Sequence, residues 1–152
     1  GRVKIEDTKN LAAHNFITKL FNRNYVTPKM HKVLTAVSLK FNSKSPSLKV
    51  IYLDANFPFF DGFPLLPHLS HNDGKKIDIS FIYQTEKGVE TNLKLSEIAT
   101  KNLIIQLLKE KSVSKIFIEP HLKSRLNLNN SKIRFHGCGA VRHDDHIHFQ
   151  IK

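Results

Sequence analysis

Apolar and polar residues alternate strictly along two short stretches of the chain. In residues 76–83, Ile77, Ile79, Phe81 and Tyr83 fall on one parity, and Lys76, Asp78 and Ser80 on the other. In residues 145–151, Ile147, Phe149 and Ile151 oppose His146, His148 and Gln150. A strand turns successive side chains to opposite faces, so a period of two predicts two strands, each with an apolar face to bury and a polar face left over. Side chains two apart on a strand share a face and stand about 7 Å from each other. The apolar faces call for helices above them, and the polar faces are where chemistry can gather.

The rest of the chain supplies those helices. In residues 8–22, Ala12, Phe16, Ile17, Leu20 and Phe21 recur at three- and four-residue steps, which predicts a helix capped by Asp7 or Thr8. A second helix begins at Pro28 with Thr27 as its cap. Its stripe is Met30, Val33, Leu34, Val37 and Phe41, and the residues from Ser43 to Pro46 end it. Residues 96–111 read as a helix and 120–126 as a short one. Residues 48–53, 114–118 and 133–135 read as strands, and 86–92 as a polar turn region. Residues 55–74 hold Pro58, Pro64, Pro67, Gly62 and Gly74, which predicts irregular structure. Phe57, Phe59, Phe60 and Phe63 in that stretch read either as the wall of a cleft or, preferred here, as rings that anchor a loop on the core. This order of elements predicts an α+β fold, with helices packed on a central, mostly antiparallel sheet. One domain covers residues 1–152, with a helical N-terminal part at 1–47 and the functional sheet region at 48–152.

Composition narrows the class of protein. With 152 residues, 40% of them apolar and 24% charged, the chain has the makings of a globular domain with a real core. No apolar run reaches 18 residues, so no transmembrane segment is expected, and no targeting segment is legible in residues 1–10. Cys138 is alone, which rules out an intrachain disulfide, and it reads as a small turn residue. The net charge of +11 favours an anionic partner: nucleic acid, an acidic membrane surface or an anionic wall polymer. No nucleic-acid-binding motif is present, so nucleic acid is not expected.

The nine histidines are unevenly placed. His68 and His71 precede the first alternating strand, and His143, His146 and His148 lead into and along the second. If the two strands are neighbours, Asp78 and His148 converge on one polar face, and His71 stands seven residues before Asp78. Two neutral imidazoles and a carboxylate suit Zn²⁺, and three protein ligands leave the fourth position that a catalytic site needs. Such a metal lowers the pKa of a coordinated water from 15.7 toward about 7. A further group must then move the proton. His146 is the first candidate because it shares the strand face of His148, followed by His143 and His68. Asp145 falls on the apolar parity and ranks lower, as a partner for a ligand imidazole. His14, His31 and His121 read as surface residues.

The spacing His71-x6-Asp78, followed by His146-Ile-His148, resembles the signature of the LAS zinc metallopeptidases, the group of lysostaphin-type enzymes, D-Ala-D-Ala metallopeptidases and murein endopeptidases. His68, three before the first ligand, and His143, three before the final pair, resemble the penicillin-insensitive murein endopeptidases in particular. The resemblance runs from His68 onward. It implies one Zn²⁺ per chain on His71, Asp78 and His148, with His146 a catalytic residue that does not bind the metal. It also implies a periplasmic or secreted enzyme that cleaves peptidoglycan cross-link peptides. The lone Cys138 departs from that branch, whose members use disulfides.

Two alternatives stay open at this level. One is a D,D-carboxypeptidase, which needs a cation for the substrate's terminal carboxylate; Arg125, Arg134 and Arg142 are available. The other is a basic cell-wall-binding module without catalysis. On any of these readings the charge should matter. Binding to isolated cell walls should weaken as salt is raised, because surface attraction is screened within about 10 Å at 0.1 M. A pull-down across a salt series checks this, and binding unchanged at high salt would make the basic surface incidental.

Overall fold

The computed structural model describes residues 1–56, 73–86, 89–134 and 146–152. Its elements run β1 (Val3–Lys4), β2 (Leu11–Ala13), α1 (Phe16–Leu20), β3 (Tyr25–Val26), α2 (Pro28–Lys44), β4 (Val50–Asp54) and β5 (Lys76–Ser80). There follow β6 (Tyr83–Glu86), β7 (Val89–Leu95), α3 (Glu97–Lys109), β8 (Val113–Phe117), α4 (Pro120–Arg125), β9 (Ile133–Arg134) and β10 (His146–Ile151). Among the described residues these form an α+β fold of four helices and a six-stranded mixed sheet in the order β2-β4-β5-β10-β8-β9. No helix is long and apolar enough to cross a membrane among the described residues.

The centre of the sheet is antiparallel, from β4 through β5 and β10 to β8, while both edges, β2 on β4 and β9 on β8, pair in parallel. The expected mostly antiparallel sheet is therefore mixed. Parallel neighbours need a crossover, and the chain supplies one at each edge: α1, β3 and α2 lie between β2 and β4, and α4 lies between β8 and β9.

The longer helices form where their caps and stripes predict. Thr27 Oγ1 accepts from the Met30 amide at 3.2 Å and Pro28 opens α2. Met30, Val33, Leu34, Val37 and Phe41 are all buried. Ser96 caps α3 by accepting from the Ala99 amide, and Leu103, Ile104 and Leu107 face inward. Together with Tyr52, Ile77, Ile79, Ile116, Ile147 and Phe149 from the sheet they make one apolar core. The register explains the shared face: Tyr52 stands opposite Ile79 and Ile79 opposite Ile147, while Ile77 stands opposite Phe149 and Phe149 opposite Ile116.

The first predicted helix does not extend over 8–22. Thr8 Oγ1 instead accepts from the amides of Asn10 and Leu11, closing a turn, and Leu11–Ala13 joins the sheet edge as β2. The helix shrinks to α1, capped by Asn15, and its residues Phe16, Ile17, Leu20 and Phe21 are exposed. Alternation along β5 also stops at Ser80. Phe81 and Ile82 are both buried, because the Ile82 amide turns in to donate to Thr100 Oγ1 at 3.0 Å. The expected turn region at 86–92 is mostly strand: Glu86 ends β6, and residues 89–92 belong to β7, which pairs with β6.

Asn56 and Gly74 fix the start of β5. Asn56, fully buried, donates from its Nδ2 to the Lys76 carbonyl at 3.0 Å and accepts from the Gly74 amide at 3.2 Å. Gly74 has φ +73°, and a Cβ there would meet Arg2 Nε at 3.0 Å and Thr27 Cγ2 at 3.1 Å, so glycine is required by both conformation and space.

Tyr52 carries the clearest titration effect in the core. It is fully buried, and its Oη meets no hydrogen-bond partner among the described residues. Burial first, and the Asp7 charge second, push its pKa up to about 12; Asn24 favours the ionised form but is outweighed. The phenol thus holds its proton longer in the folded chain than in the unfolded one, where it titrates near about 10, and stability should fall as pH rises between these values. Tyr52→Phe should keep stability within about 1 kcal/mol of wild type at pH 7. It should lose less stability than wild type on going to pH 10.5, as urea unfolding at the two pH values will show.

Candidate functional site

The face of the sheet turned away from α2 and α3 carries a row of side chains that the register sets side by side. Asp54 of β4 stands opposite Asp78 of β5, Asp78 opposite His148 of β10, His148 opposite Phe117 of β8, and Phe117 opposite Arg134 of β9. One step along the strands, His146 stands opposite Ser80, and one step the other way Gln150 stands between Lys76 and Lys115. The irregularity between Tyr52 and Asp54 in β4 brings Asp54 onto this face. β5 and β10, whose neighbouring was only a condition of the sequence reading, pair directly.

His148 and Asp78 meet within this row. His148 Nδ1 lies 2.8 Å from Asp78 Oδ1, a buried hydrogen bond, and His146 Nε2 lies 3.9 Å from the same oxygen. Asp78, His148 and His146 are 2%, 3% and 5% exposed, so the carboxylate is held away from bulk water and its charge is answered by imidazoles. The other ring nitrogen of His148 lies 3.1 Å from Gln150 Nε2. Phe117 packs edge-on to the His148 ring, with centroids 5.5 Å apart and planes at 65°.

A second carboxylate lies alongside. Asp54 is 7% exposed and receives the guanidinium of Arg23, with Nε donating to Oδ1 at 2.9 Å and Nη2 to Oδ2. This two-pronged grip neutralises Asp54 beside Asp78, where two bare carboxylates would repel. No local pattern points to Arg23, since the pair joins positions 31 residues apart. Asp54 itself stands one residue past the predicted strand 48–53. Gln150 and Phe117 were legible as strand residues but not as neighbours of His148.

Asp78 and His148 offer a carboxylate oxygen and an imidazole nitrogen, two of the donor types that zinc takes. Donors sharing one tetrahedral zinc at about 2.0–2.1 Å stand about 3.3 Å apart, and Asp78 Oδ1 and His148 Nδ1 need part only slightly to match. Among the described residues, no group of three or more His, Cys, Asp or Glu side chains is gathered to hold a metal ion. His71, the third expected ligand, lies outside the described residues, as do His68, His143, Asp145, Cys138, Arg142 and the four phenylalanines of 57–63. Of the arginines weighed for a substrate carboxylate, Arg125 is engaged by Glu97, with Nε 2.8 Å from Oε1, while Arg134 is exposed at the β9 end of the row. His121, on α4, and His14 are exposed as expected, whereas His31 is half-buried. An open pocket of about 530 Å³ borders the row through Ser80, with Leu48, Ile51, Phe81 and Ile82 as apolar wall and Lys49 at its rim.

The Arg23–Asp54 pair should be a stability determinant. Arg23→Met should cost about 3 kcal/mol, because it leaves a buried carboxylate next to Asp78 without its cation. Adding Asp54→Asn should recover more than half of that loss. Urea unfolding of both variants measures this; a cost below about 1 kcal/mol would make the pair an ordinary surface bridge.

The sequence matches no protein-family model, and no curated protein matches it. The likeness to LAS peptidases therefore rests on the five histidines and one aspartate of the signature.

Proposed function

We propose that the chain is a zinc-dependent peptidoglycan hydrolase, a murein endopeptidase that cleaves cell-wall cross-link peptides in the periplasm or outside the cell. The observation that carries this reading is the meeting of Asp78 and His148 at 2.8 Å on one sheet face, with His146 on the same face 3.9 Å from that carboxylate. These three residues are the later part of the signature, and strand pairing 70 positions apart in sequence brings them together. Asp78 and His148 would hold one Zn²⁺ with His71 as third ligand. Bound there, zinc supplies Lewis acidity, which makes water nucleophilic near neutral pH and polarises a peptide carbonyl.

The protein's own part is positioning and proton transfer. His146 is placed to take the proton of the attacking water and pass it to the leaving amine, with His143 and His68 as the next candidates. The Asp54–Arg23 pair keeps the neighbouring carboxylate occupied, so that Asp78 alone turns its charge to the imidazoles. The basic surface, at +11, holds the anionic wall polymer near the site. Arg134, exposed on the same face, supports the D,D-carboxypeptidase form of this reading. The near-complete burial of Asp78, His146 and His148 instead favours a structural polar cluster in a non-catalytic wall-binding module.

Metal content and turnover on a cross-linked muropeptide, measured together, separate these readings. Wild type should hold about one zinc, and Asp78→Ala and His148→Ala should lose both zinc and activity. His146→Ala should keep its zinc and lose about 10²- to 10⁴-fold in turnover. Full zinc occupancy in Asp78→Ala would sink the ligand assignment, and zinc-free wild type without activity would favour the binding module.

A further inference from the structure

We infer that one end of the sheet docks on an anionic lipid bilayer, through the exposed apolar side of α1 and a group of lysines at the same end. Helix α1 is built inside out. Its buried residue is Thr18, whose Oγ1 donates to the Leu53 carbonyl at 3.1 Å. Phe16, Ile17, Leu20 and Phe21 are 70%, 48%, 66% and 60% exposed. Steps of one, four and five residues put all four on one side of α1 and its C-cap. A water-facing helix shows the reverse, with its apolar stripe on the core. Large apolar side chains gathered in water mark a contact surface, whereas scattered single ones do not.

Lysines gather at this end from four parts of the chain. β4 runs antiparallel to β5 and β5 to β10, so Leu53, where α1 is tied, lies at the same end as the start of β5 and the finish of β10. Lys76 of β5 and Lys115 of β8 flank Gln150 of β10. The Ile151 amide donates to the Lys75 carbonyl and the Lys152 amide to the Ser112 carbonyl, each at 3.0 Å, which adds Lys75, Lys152 and Lys111 to the group. Lys29 Nζ donates to the Lys152 carbonyl at 3.4 Å. The acids nearby are already taken: Asp73 by Lys76 at 3.3 Å, Glu110 by Lys40 at 2.9 Å, and Asp54 by Arg23. Lys75, Lys111, Lys115 and Lys152 are exposed and enter no ion pair among the described residues.

The combination selects the occupant. An anionic polymer in water would engage the lysines and leave the phenylalanines wet. A second copy of a chain carrying +11 would cover the apolar side chains against the repulsion of its own charge. A bilayer with acidic headgroups takes both sets. Apolar side chains enter the boundary between headgroups and acyl chains, and lysines stay at the phosphates, each contributing about fivefold to binding. Docking of this kind is independent of the zinc.

The chain contains no tryptophan, so Phe16→Trp introduces a single reporter. The experiment uses the full chain with vesicles of phosphatidylcholine and phosphatidylglycerol in equal parts, with pure phosphatidylcholine vesicles and a soluble poly(glycerol phosphate) for comparison. On the acidic vesicles the emission of Phe16→Trp should shift to the blue and be quenched by brominated acyl chains, and with the polymer it should not shift. In co-sedimentation, Phe16→Ser/Phe21→Ser should bind the acidic vesicles about tenfold or more weakly than wild type. Lys75→Gln/Lys111→Gln/Lys115→Gln should also weaken binding by about tenfold or more. Lys9→Gln/Lys44→Gln/Lys49→Gln removes the same charge near the opposite end, where β4 begins beside Asn10, and should stay within about twofold of wild type. Equal weakening by the two lysine triples, emission unmoved by acidic vesicles, or an equal shift with the polymer would overturn the inference. So would a blue shift that grows with protein concentration in the absence of vesicles, which would assign the patch to a second copy. A lowered thermal midpoint in Phe16→Ser/Phe21→Ser would show that the rings pack within the protein and would overturn it too. Each of these outcomes leaves the zinc reading untouched, since metal content is measured separately.

Discussion

Two carboxylates, Asp54 and Asp78, stand opposite each other on adjacent strands, both nearly buried. Two like charges on neighbouring strands repel, and each also loses hydration on burial. The fold answers each with a different partner. Arg23 closes on Asp54 with two hydrogen bonds, and a guanidinium suits this task because it stays ionised and matches a carboxylate edge to edge. Asp78 is given imidazoles, with His148 Nδ1 at 2.8 Å and His146 Nε2 at 3.9 Å from the same carboxylate oxygen.

Strand order makes this possible. β10 lies inside the sheet, with β5 on one side and β8 on the other, so His148 is flanked by Asp78 and Phe117 at once. An edge strand could offer only one such neighbour. The helices α2 and α3 lie over the opposite face, where Phe149 and Ile147 join the core. Each residue of β10 therefore has one of two duties set by parity. Phe149 and Ile147 anchor the strand, and His146, His148 and Gln150 are held rigid by that anchoring. A site built on a central strand is positioned by the whole core, which is more exact than a loop can manage.

The parts of this that were legible in the sequence are those with a short-range period. The alternation read over 145–151 and 76–83 located both strands and sorted their faces as far as Ser80, beyond which β5 ends and Tyr83 is exposed, and the stripe from Met30 to Phe41 with its Thr27 cap located α2. The illegible parts have no local signal. β2 is three residues long, and Ala12 with Phe16 mimics a helical step, so only pairing with β4 reveals it as a strand. Arg23 and Asp54 are joined by tertiary structure alone. Gln150 was visibly on the polar face with His146 and His148, yet nothing in a polar strand residue announces that its amide lies 3.1 Å from an imidazole. Residues such as His71 that complete the signature are known from spacing only.

The hydrogen bond between His148 and Asp78 bears on both the structural and the catalytic account of the cluster. Buried polar atoms must be satisfied, and two ligands that face each other can satisfy one another by sharing a proton. A carboxylate and an imidazole converging on one point will therefore form a hydrogen bond along the line between them whether their purpose is structure or metal binding. The bond by itself does not favour the structural account. What differs is the rest of the surroundings. A purely structural pair is stabilised by enclosing it in apolar side chains with one fixed donor and one fixed acceptor. Here the imidazole's far side meets an amide that offers both, a second histidine stands 3.9 Å from the carboxylate, and a neighbouring carboxylate needs its own arginine. Such a concentration of polar groups costs more in desolvation than it returns as packing. An apolar row at these five positions would give the sheet a second face with a smaller desolvation cost.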